Sequence, residues 1–330
     1  MRVKAGVVGV GAIGRNHARI YAELENVDLV AIHDANLEHA RAVADQFGTE
    51  AVATLEELVE RVDVASVATP TVTHREVATL LLSARKHVLV EKPIADSVDD
   101  AKAMIDLAAA QGCVLQVGHI ERFNPAIRSL KQRLLTGEIG TPFQIATSRQ
   151  GPFPARIRDV GVVKDLGTHD LDLTTWVAAQ KFDTVAARCV YRAGRVHEDL
   201  VAVVGSLADG TATNHLVNWL SPMKERRVVV TGERGCLIAD TLTADLTFYS
   251  NANMASEWEG LSQFRGVSEG DVIRYAIAKP EPLEGELTAF RDAVLGRDGE
   301  IVTGQDGLHA LQVAEAILRS AQQNTVETIL

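Results

Sequence analysis

Val3-Lys4-Ala5-Gly6-Val7-Val8-Gly9-Val10-Gly11-Ala12-Ile13-Gly14 reads as a short buried strand, a glycine turn and the first residues of a helix. Each part has a physical reason. Gly9 permits a tight turn, Gly11 lets the backbone approach a bound diphosphate, and Gly14 lets helix and strand pack closely. The free N–H groups and positive dipole end of the helix, at Gly11, Ala12 and Ile13, then suit an anion. Twenty residues past Gly14, at the end of the next apolar run Val27–His33, stands Asp34. A carboxylate there is placed to accept hydrogen bonds from the 2′- and 3′-hydroxyls of an adenosine ribose. A glycine pattern alone is weak, because turns use glycine for many reasons. Strand, turn, helix and acid in this order predict a dinucleotide site.

The cofactor expected there is NAD. A 2′-phosphate beside Asp34 would meet a like charge, and no Arg or Lys occurs between Asp34 and Arg41.

The first 120 residues alternate Val/Ile/Leu runs with helical patterns. Val3–Val8, Val27–His33, Val62–Ala68, His87–Val90 and Val114–Val117 read as strands buried on both faces. Ile13–Leu24, Leu37–Phe47, Leu55–Glu60, Thr73–Ala84 and Val98–Gln111 read as the helices between them. The alternation predicts an α/β Rossmann domain with a doubly wound parallel sheet over residues 1–120. Residues 121–330 read as an α+β domain for substrate binding and oligomerisation. Its helices are expected at Asn124–Leu135, Lys164–Ala179, Gly285–Leu295 and Gln305–Gln322, and its open antiparallel sheet over Asp183–Ser250. Ala208-Asp209-Gly210 and Gly232-Glu233-Arg234-Gly235 are the turn signals. Asn251–Pro282 reads as a loop over a site or part of a subunit contact.

Composition narrows the function. A net charge of −11 argues against a nucleic-acid or anionic-membrane surface. Three widely spaced cysteines, Cys113, Cys189 and Cys236, fit free thiols in a reducing compartment. No His/Cys cluster has ligand spacing, so no metal is expected. With no leader sequence and no apolar run approaching ~18 residues, the expected location is cytoplasmic.

Glu91-Lys92-Pro93 follows the fourth strand, at the carboxyl end of the sheet, where ligands bind in such folds. A solvated loop lysine is the plain alternative. With this motif the chain resembles the Gfo/Idh/MocA oxidoreductase family over nearly its whole length. The resemblance rests on the glycine turn, Ala68-Thr69-Pro70-x-x-x-His74, Glu91-Lys92-Pro93 and Gly118-His119-Ile120-Glu121-Arg122-Phe123-Asn124-Pro125. It continues through Gly161-x-x-x-Asp165-Leu166-Gly167-Thr168-His169 and from Glu281-Pro282-Leu283 to Arg319-Ser320. It implies that Lys92 contacts the substrate hydroxyl and nicotinamide ribose, and that Asp165 and His169 supply a proton-relaying histidine. It also puts Thr69, Pro70, His74 and Glu91 beside the cofactor, His74 as a packing residue.

The chemistry agrees with that transfer. Asp165 and His169 are four apart, so on a helix they share a face. Oxidising a secondary alcohol requires removing the hydroxyl proton as hydride leaves carbon, and an imidazole with an ordinary pKa of about 6.5 suits that task. Lysine, ordinarily near 10.4, suits polarising the oxygen. The two roles could be exchanged. His119 and Asn124 stand either at the substrate pocket or at a hinge, and Arg122 is taken with them as substrate-binding.

Within the family, the stretches around His119 and Asp165 resemble the branch that oxidises C3 of UDP-N-acetylglucosamine to a 3-keto sugar for a partner aminotransferase. One independent feature agrees. Arg149, Arg156, Arg158 and Lys164 face only Asp159 in a segment expected to form a rigid loop, Gly151-Pro152-Phe153-Pro154. Such arginines suit bidentate diphosphate binding, and an ordinary basic loop or subunit contact is the plain alternative. Three rival functions remain: oxidation of a free sugar or cyclitol such as myo-inositol or glucose, NAD-assisted glycoside cleavage, and a non-enzymatic NAD-sensing regulator. A homodimer or homotetramer is expected, because a large antiparallel sheet needs its faces covered.

Overall fold

The computed structural model describes residues 2–154, 160–252 and 268–329. The chain forms two compact units, Met1–Ile120 with Pro280–Leu311, and Glu121–Lys279 with Gln312–Leu330.

In the first unit, β1 (Val3–Val8), β2 (Val27–His33), β3 (Val64–Val67), β4 (His87–Glu91) and β5 (Leu115–Gly118) form a parallel sheet in the order β2-β1-β3-β4-β5. The order reverses on either side of β1, so the glycine turn leaves the sheet at its topological switch point, where ligands bind such sheets. The crossover helices are α1 (Ala12–Glu23), α2 (Leu37–Phe47), α3 (Leu55–Arg61), α4 (His74–Ser83) and α5 (Val98–Gln111). Their ends follow from local chemistry. Asn36, Thr54 and Ser97 cap α2, α3 and α5 with side-chain oxygens, and Gly48 and Gly112 end α2 and α5 at positive φ.

One boundary differs from the sequence expectation. Leu283, Leu287 and Phe290 of α8 (Pro282–Val294) pack in the core formed by β1, β2 and α1, so 280–311 belongs to the first unit. The last helix, α9 (Gly304–Gln323), gives residues to both units. An amphipathic helix shows that it has a buried face but not which core takes it, and this defeated a boundary drawn from chain order.

In the second unit, α6 (Pro125–Leu135) is followed by β6 (Pro142–Pro152), α7 (Thr168–Ala178), β7 (Phe182–Val190), β8 (Leu200–Leu207), β9 (Ala212–Asn218), β10 (Leu220–Gly232), β11 (Gly235–Asp240), β12 (Asp245–Ala252), β13 (Ser268–Arg274) and β14 (Glu327–Thr328). Among the described residues, nine strands run β13-β12-β11-β10-β6-β9-β8-β7-β14. Every pair is antiparallel except β6 with β9, so the sheet is mixed. Side chains of α6, α7 and the end of α9 share one core with its inner face, including Leu130, Trp176 and Ile317. β6 is a long strand the sequence reading missed, as it did the short β14, because the inward positions of β6 include Thr147 and Arg149 and so break the apolar alternation. β13 occupies part of the segment read as a loop; residues 253–267 lie outside the described residues. Among the described residues, no helix is long and apolar enough to cross a membrane.

Candidate active site

In the first unit the glycine turn meets each demand of a diphosphate site. Gly9 has φ +82°, and a Cβ at Gly14 would stand 1.8 Å from the Gly9 carbonyl oxygen. A Cβ at Gly11 would have nothing within 4 Å, so its face is open to a ligand. The N-terminus of α1 has no side-chain cap and no acid in its first turn, which leaves the positive end bare. Asp34 closes the turn from the other side. Its Oδ2 accepts from Val10 N (2.8 Å) and its Oδ1 from Asn36 N (2.9 Å). Each oxygen keeps a further lone pair for a ribose hydroxyl. These residues fit a dinucleotide.

Thr69 and Pro70 follow β3, and His74 begins α4. The ring of His74 lies 3.0 Å from the carbonyls of both Pro93 (Nδ1) and Thr69 (Nε2), and burial pushes its pKa down. It therefore ties together the loops after β3 and β4. Glu91 ends β4, and its Oε2 accepts from Lys92 N at 3.3 Å. Burial pushes the Glu91 pKa up, but hydrogen bonding by His17 and the charges of His17, Lys92 and His74 outweigh it, and the net shift is downward. His119 follows β5 and is buried.

In the second unit, Asp165 lies in a wide π turn, Val163–Gly167, and His169 in the first turn of α7. The expected single helix Lys164–Ala179 is thus two pieces, and the four-residue spacing spans a π turn before α-geometry begins. Glu198 builds this turn. Its Oε1 accepts from Val163 N (3.0 Å) and its carbonyl from Val162 N (3.1 Å). A Cβ at Gly161 would stand 2.0 Å from the same carboxylate. Glycine at 161 is therefore needed for the close approach of Glu198.

Asp170, next to His169 in α7, belongs to a buried charge network. Arg149 donates from Nε to Asp170 Oδ1 and from a terminal nitrogen to Glu121 Oε1, both at 2.7 Å. Arg226 adds a weaker contact to Glu121 at 3.4 Å. Burial opposes ionisation of Glu121, but Arg149 and Arg226 bring its pKa below the ordinary range. For Asp170, burial wins and the pKa rises. Thr147 donates to Asp170 (3.1 Å) and lies 2.9 Å from His215 Nδ1; burial lowers the His215 pKa to about 4.

Three expectations change here. Arg149, side chain 2 % exposed and held by two carboxylates, is a structural cation of β6 rather than a loop ligand for diphosphate. Arg122 gives its fork to Asp172, with Nε 2.8 Å from Oδ2, and its guanidinium carbon lies 5.8 Å from the Trp176 ring. It anchors α7 instead of facing a substrate. Asn124 caps α6, accepting from Ala126 N and donating to the Thr241 carbonyl, both at 3.0 Å. Arg156 and Arg158 lie outside the described residues. Sequence reading passed over His17 and Glu198. A polar residue on the inward stripe of α1 was the available signal for the first; nothing local marked the second.

Residues 3–119 match the family described as an oxidoreductase family with an NAD-binding Rossmann fold (Gfo/Idh/MocA), and residues 127–238 match the Gfo/Idh/MocA C-terminal domain. The UDP-N-acetylglucosamine 3-dehydrogenase of Acidithiobacillus ferrooxidans is 31% identical over 315 residues, covering 95% of this chain and 96% of the relative. Its solved structure superposes with a TM-score of 0.85 at 29% identity, covering 98% and 99% of the two chains. The inositol 2-dehydrogenase of Rubrobacter xylanophilus is 27% identical over 342 residues, 99% of this chain and 94% of that one.

Proposed function

The chain belongs to the Gfo/Idh/MocA oxidoreductase family, with NAD as its cofactor and sugar and cyclitol dehydrogenases as its relatives, and on that premise we propose that it oxidises C3 of UDP-N-acetylglucosamine to the 3-keto sugar. The observation that carries this reading is the likeness to a UDP-N-acetylglucosamine 3-dehydrogenase over 95% of the chain.

NAD, when bound, supplies the hydride acceptor. Gly9, Gly11 and Gly14, with the N–H groups of Ala12 and Ile13, hold its diphosphate, and Asp34 takes the ribose hydroxyls and disfavours a 2′-phosphate. Thr69, Pro70 and His74 pack beside it. Lys92 donates to the substrate oxygen and orients it. His169 takes the hydroxyl proton, with Asp165 holding the imidazole and the substrate in place. His119 is a further substrate contact. Arg156 and Arg158 remain the arginines proposed for the diphosphate.

A second reading has support of its own: an inositol 2-dehydrogenase covers 99% of the chain, and the withdrawal of Arg149 removes one diphosphate ligand. Oxidation of a free cyclitol or sugar is that reading. The test is turnover of NAD with UDP-N-acetylglucosamine, myo-inositol and glucose, the ketone being drained by an aminotransferase and glutamate. NADH formation with the nucleotide sugar, inhibited by UDP, is expected; NADH with myo-inositol alone would transfer the proposal to the second reading.

The aminotransferase is the proposed consumer of the ketone in the cell. The outward face of the second sheet supports self-association, since it presents Val204, Leu216 and Tyr249 to solvent.

A further inference from the structure

A file of polar groups crosses the apolar interior of the first unit. Tyr21 OH lies 2.8 Å from Ser66 Oγ, Ser66 Oγ 2.9 Å from His17 Nδ1, and His17 Nε2 3.1 Å from Glu91 Oε1. His17 and Ser66 are fully buried and Tyr21 nearly so. Placing groups of this kind in a core costs free energy unless each finds a partner. Glu91 is the anion of the file, with its pKa held down chiefly by His17 once burial is overcome. An ionised Glu91 can only accept, so Nε2 of His17 carries hydrogen. Nε2 therefore donates to Glu91, and one hydrogen on Nδ1 or on a hydroxyl links each of the remaining pairs, Nδ1 with Ser66 and Ser66 with Tyr21.

At its far end the file meets the loop that carries Lys92. Glu91 Oε2 accepts the Lys92 backbone N–H, and the Glu91 carboxylate lies against Gly118, where a Cβ would come within 3.0 Å of Oε1. The carboxylate is thus clamped by α1 on one side and β5 on the other, and it fixes the first peptide of the loop. We propose that His17 is a positioning residue for Lys92, acting through Glu91. Glu286 lies within 4.8 Å of the same His17 and Glu91 atoms, a grouping that could suggest a metal site. Because Nε2 bears hydrogen toward Glu91 and Nδ1 is engaged with Ser66, the imidazole presents no free lone pair to a cation.

This inference rests on reading Lys92 as the substrate-orienting residue, and its test keeps the two apart. Wild type, His17→Gln and His17→Asn are compared for kcat and KM on the sugar that wild type oxidises. NADH affinity, melting temperature and the rate of Lys92 acetylation by acetic anhydride, followed by mass spectrometry, are read alongside. Glutamine puts an amide N–H where Nε2 stood; asparagine is a methylene too short. The glutamine variant is expected to keep kcat within about threefold, and the asparagine variant to lose about 30- to 100-fold with KM for NAD unchanged. Lys92 acetylation is expected to quicken several-fold in the asparagine variant alone, as its neighbouring carboxylate is released. In a Lys92→Met background, His17→Asn should cost no further turnover. Glu91→Gln, close in shape, should match His17→Asn and serves if that variant fails to fold. Unchanged kcat in the asparagine variant, equal losses in both His17 variants that track melting temperature, or losses that multiply with Lys92→Met would overturn the proposal. A wild type that oxidises no sugar would defeat the functional reading alone, and the acetylation rates would still decide for or against His17.

Discussion

The two units hold their functional residues by different means. In the first, the turn after β1 works through backbone: positive φ at Gly9, the close approach at Gly14 and a bare helix end. In the second, the turn that carries Asp165 and the helix that carries His169 are set by buried side chains, Glu198 under the π turn and Arg149 between Glu121 and Asp170. A site built from backbone leaves glycines and an acid at fixed offsets in one stretch of chain. A site built from ion pairs scatters its parts over residues 121 to 226. The comparison predicts that substitutions in the second unit separate chemistry from stability, whereas those at the glycine turn and Asp34 in the first act on cofactor binding.

The largest expected effect is that of His169→Asn. Loss of the proposed base should lower kcat about 10³- to 10⁴-fold while the Kd for NADH, read by fluorescence titration, stays within about twofold. Loss of NADH affinity in parallel would erase the division of labour. Next comes Arg149→Met. Removing the guanidinium leaves Glu121 and Asp170 buried together, at a cost of about 3–5 kcal/mol in thermal or urea unfolding. A stable Arg149→Met protein with a raised KM for a nucleotide sugar would instead restore Arg149 as a ligand.

Legibility in the sequence followed the same division. α2 and α5 begin and end where their caps and glycines indicate, and β1 and β2 span the expected residues. Local patterns sufficed because these elements answer to local rules. β6 escaped because its inward Thr147 and Arg149 are polar, and polar inward residues are understood only with their partners, which lie 23 and 28 residues away for the Asp170 and Glu121 contacts. Arg122 was read as a substrate contact and Asn124 as a residue of the substrate pocket or a hinge, since nothing near them reveals Asp172 or the Thr241 carbonyl. The return of 280–311 to the first unit was hidden for a similar reason: an apolar helix face does not name its core.

A smaller effect concerns pH. Folding lowers the His215 pKa from about 6.5 to about 4, so between those values the unfolded chain binds more protons than the folded one. Stability from this group is full above the upper value and falls as pH drops through the window, by about 3 kcal/mol at most. The lowered Glu121 carboxyl acts in the same direction, its contribution being lost as pH falls below the ordinary carboxylate range. Melting temperature should therefore decline from pH 7 to pH 4, and His215→Gln should flatten the decline; an unaltered slope would remove His215 from the network's account. The smallest effect expected is on cofactor choice. Asp34→Ser with Asn36→Arg should shift the NAD:NADP ratio of kcat/KM toward NADP by about tenfold or more, through loss of one like charge and gain of one opposite charge. No change in that ratio would mean that Asp34 serves only to hold Val10 and Asn36.

The most direct test of the central claim is the fate of the hydrogen on C3. UDP-N-acetylglucosamine carrying deuterium at C3 is incubated with NAD and the protein, and the nicotinamide is analysed by mass spectrometry, which reads even a small extent of reaction. The account predicts deuterium on the nicotinamide ring. Deuterium retained on the nucleotide sugar, under conditions in which labelled myo-inositol or glucose gives up its own, would contradict it.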